Sequence, residues 1–310
     1  MAGGGVGVRR WLVAAAPAVF VVLWSTGFVG AKYGLPYIEP FTFLALRLAI
    51  AAALLGALTL AFRSARPTPR QAVSSSVTGL LLHAGYLGGV FWAISRGVPA
   101  SVSAAVVSLQ PVLVAALAAW LLRERVTAVK WLGLGVGIAG VVMVLAPGLA
   151  VAAGAARALP VAGVVALGAA LAGGTAGTIY QKRFGDEVPL LGGTTVQYAA
   201  AALVLGAGAL TTETMAVRWT GELVAAMVYL VLFLSLGAVL LLLLLLRRGS
   251  ASGVSSLFYL VPPATTLEAY LLFSEDLPLL SLLGIGVTAL GVALVLRAPS
   301  TRPAVAVEKS

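Results

Sequence analysis

His83 is the one histidine in this sequence, and no cysteine accompanies it. Imidazole is the side chain whose ordinary titration falls near neutral pH. Here it stands inside a long apolar run, where an unpaired polar group costs several kcal/mol. Tyr86 follows at helical spacing on the same face, and Gly79 precedes it by one turn. That face suits the binding of an amino or carboxylate group, or a proton carried on His83. A core histidine bonded to a neighbouring helix is the plainer alternative. Gln110 precedes Pro111, which frees a carbonyl one turn earlier and bends a helix. Much later the chain writes Val261-Pro262-Pro263, with Tyr259 just before it. Paired broken helices at matching positions point to a transport site; the alternative is that Pro111, Pro262 and Pro263 only shape packing.

Two charges also fall inside apolar runs. Arg47 and Glu268 lie at similar depths from the same side of their spans. A buried charge asks for an opposite partner, so a structural ion pair between them is expected, ahead of a place in the cavity. Gln197 stands opposite Arg47 at a shift of 150 residues and joins the candidates. Phe20, Trp24 and Phe28 form a stripe at helical spacing. Tyr180 lies close to Gly173, Gly174 and Gly177. Aromatics near span ends usually anchor at the interface, whereas Trp24 and Tyr180 sit where they could stack on an apolar or cationic substrate.

Other chemistries find little support. No catalytic constellation, cluster of metal ligands or cofactor motif is present, so no enzyme activity, metal or cofactor is expected. The run Gly133-x-Gly135-x-Gly137-x-x-Gly140 looks like a nucleotide-binding loop. It lies within an apolar span with no strand before it, and there small residues let helices approach closely.

The elements that must position these residues follow from composition. The chain has 310 residues, of which 61% are hydrophobic and 10% charged. Soluble domains carry about 25% charged residues. Mean hydropathy is +1.06. That much apolar surface must face lipid. Ten apolar runs of about membrane-spanning length are read at 11–34, 41–62, 72–95, 100–122, 128–147, 159–181, 189–211, 222–246, 251–273 and 278–297. Residues 1–10 and 298–310 read as disordered ends. The first run is too long for the core of a signal peptide and is taken as an uncleaved span.

The formal charge of +10 invites a nucleic-acid reading, but its distribution argues against one. With the N-terminus in the cytoplasm, 15 of the 20 Lys and Arg fall inside and 4 outside, with Arg47 within a span. The positive-inside rule then places both termini in the cytoplasm.

A shift of 151 residues lays Ala100–Leu145 over Ala251–Leu296 without a gap, with 15 of 46 pairs identical. They include Ser101/Ser252, Pro111/Pro262, Glu124/Glu275, Gly133/Gly284 and Gly140/Gly291. Each repeat holds five spans, an odd number, so the second copy enters the membrane inverted. The predicted fold is an all-α polytopic membrane protein of ten transmembrane helices, in repeats 11–147 and 159–297. Inversion also explains why the hinge around Glu124 is basic and the one around Glu275 acidic: they face opposite sides. Inverted repeats mark secondary transporters, with the substrate site near the midplane between the halves.

These repeats, each carrying Pro, Glu and the Gly-x-Gly…Gly run, resemble the EamA-type members of the drug/metabolite transporter superfamily. The stretch "LWSTGFVGAKYGLPYIEPFTFLALRLAIAAALL", Arg47 included, is similar to that family's first two spans. The resemblance covers residues 18–297 and is strongest to the bacterial aromatic amino acid and methyl viologen exporters. It implies an inner-membrane exporter of amino acids working by alternating access. A small molecule and membrane lipid are the expected partners, with a monomer as the expected unit and oligomeric state not read from the sequence. Export of drugs, nucleosides or other small metabolites is the alternative. No Walker motif is present, so ATP does not drive transport directly. No carboxylate lies at the membrane centre, so facilitated diffusion down a substrate gradient stands equally beside proton coupling, for which His83 is the one deep carrier on offer.

Overall fold

A computed structural model describes residues 15–27, 33–98, 103, 106–154, 160–273 and 277–298. Arg9, Arg10, Phe28, Lys32, Ser101, Arg157, Glu275 and Asp276 lie outside the described residues, as do the two terminal segments apart from Ala298.

Ten helices are described: α1 (Ala15–Gly27), α2 (Pro40–Ala61), α3 (Pro69–Ser95), α4 (Gln110–Leu121), α5 (Ala128–Gly154), α6 (Val161–Phe184), α7 (Leu190–Thr212), α8 (Gly221–Arg248), α9 (251–273) and α10 (Leu279–Arg297). Seven are long and apolar enough to cross a membrane; α1 and α4 are shorter apolar helices, and α9 is interrupted. No strand occurs among the described residues, only an isolated bridge between Ile38 and Val217. Leu203, Leu210, Val165 and Leu290 stand exposed on the outer surface, where hydrocarbon is the solvent that suits them.

Three boundaries differ from the hydropathy reading. The described helix α4 begins at Gln110, after a turn at 108–109, rather than running unbroken from residue 100. Pro111 thus occupies the first turn, where its missing N–H costs no helical bond. Helix α5 continues past Pro147 to Gly154, as membrane helices tolerate proline when their other backbone bonds hold. The third difference is internal. Both α3 and α8 carry a π-helical segment, at Leu80–Gly88 and at Leu230–Ala238. The two are of equal length and lie 150 residues apart.

The halves interlock by a simple rule. Helix α2 packs against its repeat mate α7, α4 against α9, and α5 against α10, while α3 packs on α6 and α1 meets α8 through Gly27 and Leu234. This is the pattern of a pseudo-two-fold axis. The α5–α10 seam is close along its length. A Cβ on Gly140 would lie 2.4 Å from the backbone N of Thr288, and one on Gly291 would lie 2.4 Å from that of Gly137. The glycine run therefore serves helix contact.

One end of the bundle gathers Arg63, Arg66, Arg70, Arg123, Arg125, Lys182, Arg247 and Arg248. Helix α1 starts at this basic end, and α6 starts at the other, beside Ala93 and Val98. The two halves thus run in opposite directions.

Each end is tied by a carboxylate that crosses between halves. At the far end, Glu213 accepts from the backbone N of Phe41 and Thr42 (2.6 and 2.8 Å) and from Thr42 Oγ1 (2.7 Å). Glu39 reciprocates to Thr214 N and Oγ1. At the basic end, Glu124 accepts from Ala251 N (2.7 Å), Ser252 N and Ser252 Oγ (2.9 Å). A carboxylate at a helix N-terminus satisfies orphan N–H groups and complements the dipole. Arg123, with φ of 54°, makes the turn that leads into Glu124.

Candidate functional site

Two groups of buried polar side chains lie on either side of α3. The first spans α2, α3, α6, α7 and α8. Arg47 is 2% exposed. Its Nε donates to Ser235 Oγ at 2.9 Å. Ser235 lies within the π-helical segment of α8, and its carbonyl accepts from the Tyr198 hydroxyl. The Tyr198 ring lies 4.9 Å from that of His83, itself within the π-helical segment of α3. Gln197 donates from Nε2 to Gln181 Oε1 at 3.1 Å. His83 Nε2 and Gln197 Oε1 are buried with no hydrogen-bond partner among the described residues. Helix α3 can approach α7 this closely because Gly79 lies against the Gln197 carbonyl: a Cβ there would be 2.2 Å from that oxygen.

The expected ion pair between Arg47 and Glu268 is not formed. Glu268 instead accepts from Ser25 Oγ at 2.5 Å, while Arg47 meets Ser235. The physical reason is helix assignment. Glu268 on α9 faces α1, and Arg47 on α2 faces α8 and α7, so each charge finds a serine on the helix it touches.

The second group lies between α3, α4 and α6. A Cβ added to Gly174 would be 2.9 Å from the Tyr86 ring and 3.1 Å from Gln110 Oε1, so both side chains converge on that glycine. Gln110 Nε2 donates to Thr178 Oγ1 at 3.4 Å. Trp24 sits nearby at the junction of the fold. It packs against three separate apolar clusters, which contain Leu48 and Leu234, Phe20 and Leu257, and Tyr86 and Leu167 respectively. Its ring lies 5.1 Å from Phe258, edge-on, and 5.3 Å from Phe20.

The remaining candidates stand apart. Tyr259 is fully buried, and a Cβ on Gly137 would lie 2.5 Å from its ring. Its hydroxyl has no partner among the described residues, and the side chain belongs to the α5–α9–α10 core. Tyr180 is partly buried near the basic end of α6, 4.6 Å from Phe184. Pro262 and Pro263 follow a tight 3-10 turn at Leu257–Leu260, so α9 changes pitch just before them.

Sequence reasoning passed over Ser25, Tyr198 and Ser235. Ser235 carried a signal, as a single hydroxyl within "LVLFLSLGAVL". A lone serine in so apolar a run either bonds its own backbone or serves a partner helix. Among the described residues no group of three or more His, Cys, Asp or Glu could hold a metal ion.

A polytopic helical bundle of two oppositely directed halves, with sparse polar groups held between them, has the build of a membrane transporter. The family comparison agrees. The model of the EamA-like transporter family matches residues 11–146 and 161–297, one match to each half, and the chain belongs to that family. An uncharacterized transporter of Bacillus subtilis, YvbV, is 26% identical over 284 residues, covering 90% of this chain and 89% of that one. An uncharacterized transporter of Archaeoglobus fulgidus is 26% identical over 297 residues, covering 94% and 99%. A solved crystal structure shares the fold with a TM-score of 0.75 at 22% identity, over 90% of this chain and 95% of its own.

Proposed function

We propose that this transporter exports neutral amino acids, aromatic ones included, or similar small metabolites by alternating access. In this reading all ten helices cross a bacterial inner membrane, both termini are cytoplasmic, the basic end faces the cytoplasm, and the monomer is the working unit.

One observation carries the substrate reading: Tyr86 and Gln110 converge over Gly174 beside Trp24. A phenol, an amide and a bare helix face make a small polar notch, and an indole offers an apolar wall. That combination suits a molecule with hydrogen-bonding groups at one end and an apolar side chain at the other. The inverted halves supply two equivalent ways to close around it. The Arg47–Ser235–Tyr198 group acts at one remove, by fixing α2, α7 and α8 together.

The test is uptake into liposomes that hold the purified protein alone, with labelled aromatic and small neutral amino acids offered with and without a pH gradient. Saturable uptake that ignores the gradient is expected of a facilitative carrier. Uptake that follows the gradient brings His83 forward as proton carrier. Folded protein that moves no amino acid sinks the reading.

A further inference from the structure

A cavity of about 520 Å³ opens at the basic end, between the halves. That volume lies within the roughly 300–1,000 Å³ of small-molecule sites. Its charge is one-sided. Arg125, Lys130, Lys182 and Arg248 line it, with Glu124 as the one carboxylate among the described residues. Glu124 offsets one of the four positive charges, and its oxygens are held by the backbone and hydroxyl at the start of α9. Lys182 donates to the Leu246 carbonyl at 2.6 Å, a contact that leaves its charge in place. Arg125 and Arg248 are exposed at the rim.

Lys130 is the telling residue. It is 3% exposed, yet it lines this cavity, and its ammonium makes no hydrogen bond or ion pair among the described residues. A lysine is rarely so buried unless paired. Its stem is buried while its ammonium opens onto the cavity, so the charge is presented there without a bonded partner among the described residues. Val254 and Leu257 are buried and also line the cavity, and Leu257 belongs to the core that includes Phe20. An occupant would therefore meet both positive charge and apolar surface.

We propose that this vestibule is an oxyanion site anchored by Lys130, which takes a carboxylate or phosphate group arriving at the basic end. The group comes either from a soluble molecule or from the headgroup of an anionic lipid. The site is a matter of equilibrium binding and stands whether or not amino acids are what the protein moves.

The experiment is thermal unfolding of the full chain in nonionic detergent, with inorganic phosphate against chloride at matched ionic strength. A second arm uses nanodiscs of phosphatidylcholine with and without phosphatidylglycerol. A ligand that binds only the folded state raises the midpoint in proportion to its saturation. The expected result is a rise of a few degrees with phosphate that Lys130→Met abolishes and Lys130→Arg retains. A rise confined to phosphatidylglycerol, and again abolished by Lys130→Met, supports the site and assigns it to lipid. No rise in either arm, or a rise that Lys130→Met leaves unchanged, overturns the proposal. Should Lys130→Met fail to fold, Arg125→Gln and Arg248→Gln at the exposed rim decide the matter. Each must shrink the rise, and an unchanged rise in both overturns the proposal.

Discussion

Arg47 and Ser235 lie in opposite halves of the chain, 188 residues apart, and meet at 2.9 Å in the buried interior. The contact joins α2 to the π-helical segment of α8, and it gives a buried guanidinium a hydroxyl rather than a carboxylate. Removing the hydroxyl leaves a buried donor unsatisfied, at about 1–3 kcal/mol. Ser235→Ala is expected to lower the unfolding midpoint in detergent, with Ser235→Thr milder. A midpoint unmoved by Ser235→Ala would mean that the contact carries no stability.

Gly174→Ala tests the notch. Its methyl group would meet the Tyr86 ring at 2.9 Å and Gln110 Oε1 at 3.1 Å. Transport is expected to fall sharply while folded yield stays near normal, since one methyl costs roughly 1–3 kcal/mol of overpacking. Tyr86→Phe and Gln110→Ala should each weaken apparent substrate affinity roughly five- to hundredfold, the worth of one hydrogen bond at a buried site. Wild-type kinetics in all three variants would remove these residues from the substrate path.

Gly291→Val provides the contrast. Its side chain would run into the Gly137 backbone at 2.4 Å, and backbone cannot swing aside. The α5–α10 seam must part, so a stability loss of several kcal/mol and poor recovery of folded protein are expected. Fluorescence-detected size exclusion of solubilised membranes would read this directly.

Glu124→Ala takes the carboxylate from Ala251 N and Ser252 at the start of α9, where Ser250 still caps Gly253 N, a loss of about 1 kcal/mol by analogy with other capping groups. Glu124→Gln keeps one acceptor oxygen and should recover part of it. Equal unfolding midpoints for the two variants would argue against the capping role.

At the far end, Tyr37 donates its hydroxyl to Glu222. That carboxylate holds the phenol's pKa above its ordinary value of 10.0, with desolvation adding to the effect. A raised tyrosine pKa stabilises the fold fully below pH 10 and loses that contribution as pH rises through the folded value. In an ultraviolet titration Glu222→Gln should move one tyrosine to lower pH. No movement would show that the bond does not persist in solution.

Hydropathy made the helices legible because lipid-spanning length is a property of a run of residues, independent of its neighbours. The glycine seam was legible for a related reason: a missing side chain permits close approach whatever the partner is. The polar interior was less so. Arg47 and Glu268 looked like a pair because both are charged and similarly deep, but which faces meet depends on helix rotation. The π-helical segments were invisible, since Leu80–Gly88 and Leu230–Ala238 differ from ordinary helix in hydrogen-bond register, which hydrophobic periodicity does not record. Lys130 gave no sign of burial in the sequence, because which face of α5 is covered depends on the helices packed around it.

The paired π-helical segments also carry the symmetry of the fold. A π segment interrupts the ordinary register of a helix and is uncommon. Two of equal length stand at the same count in both halves, 150 residues apart. The irregularity therefore belongs to the repeat unit and not to one half alone. His83 and Ser235, one in each segment, put the same distortion to different uses, an imidazole against Tyr198 and a hydroxyl against Arg47.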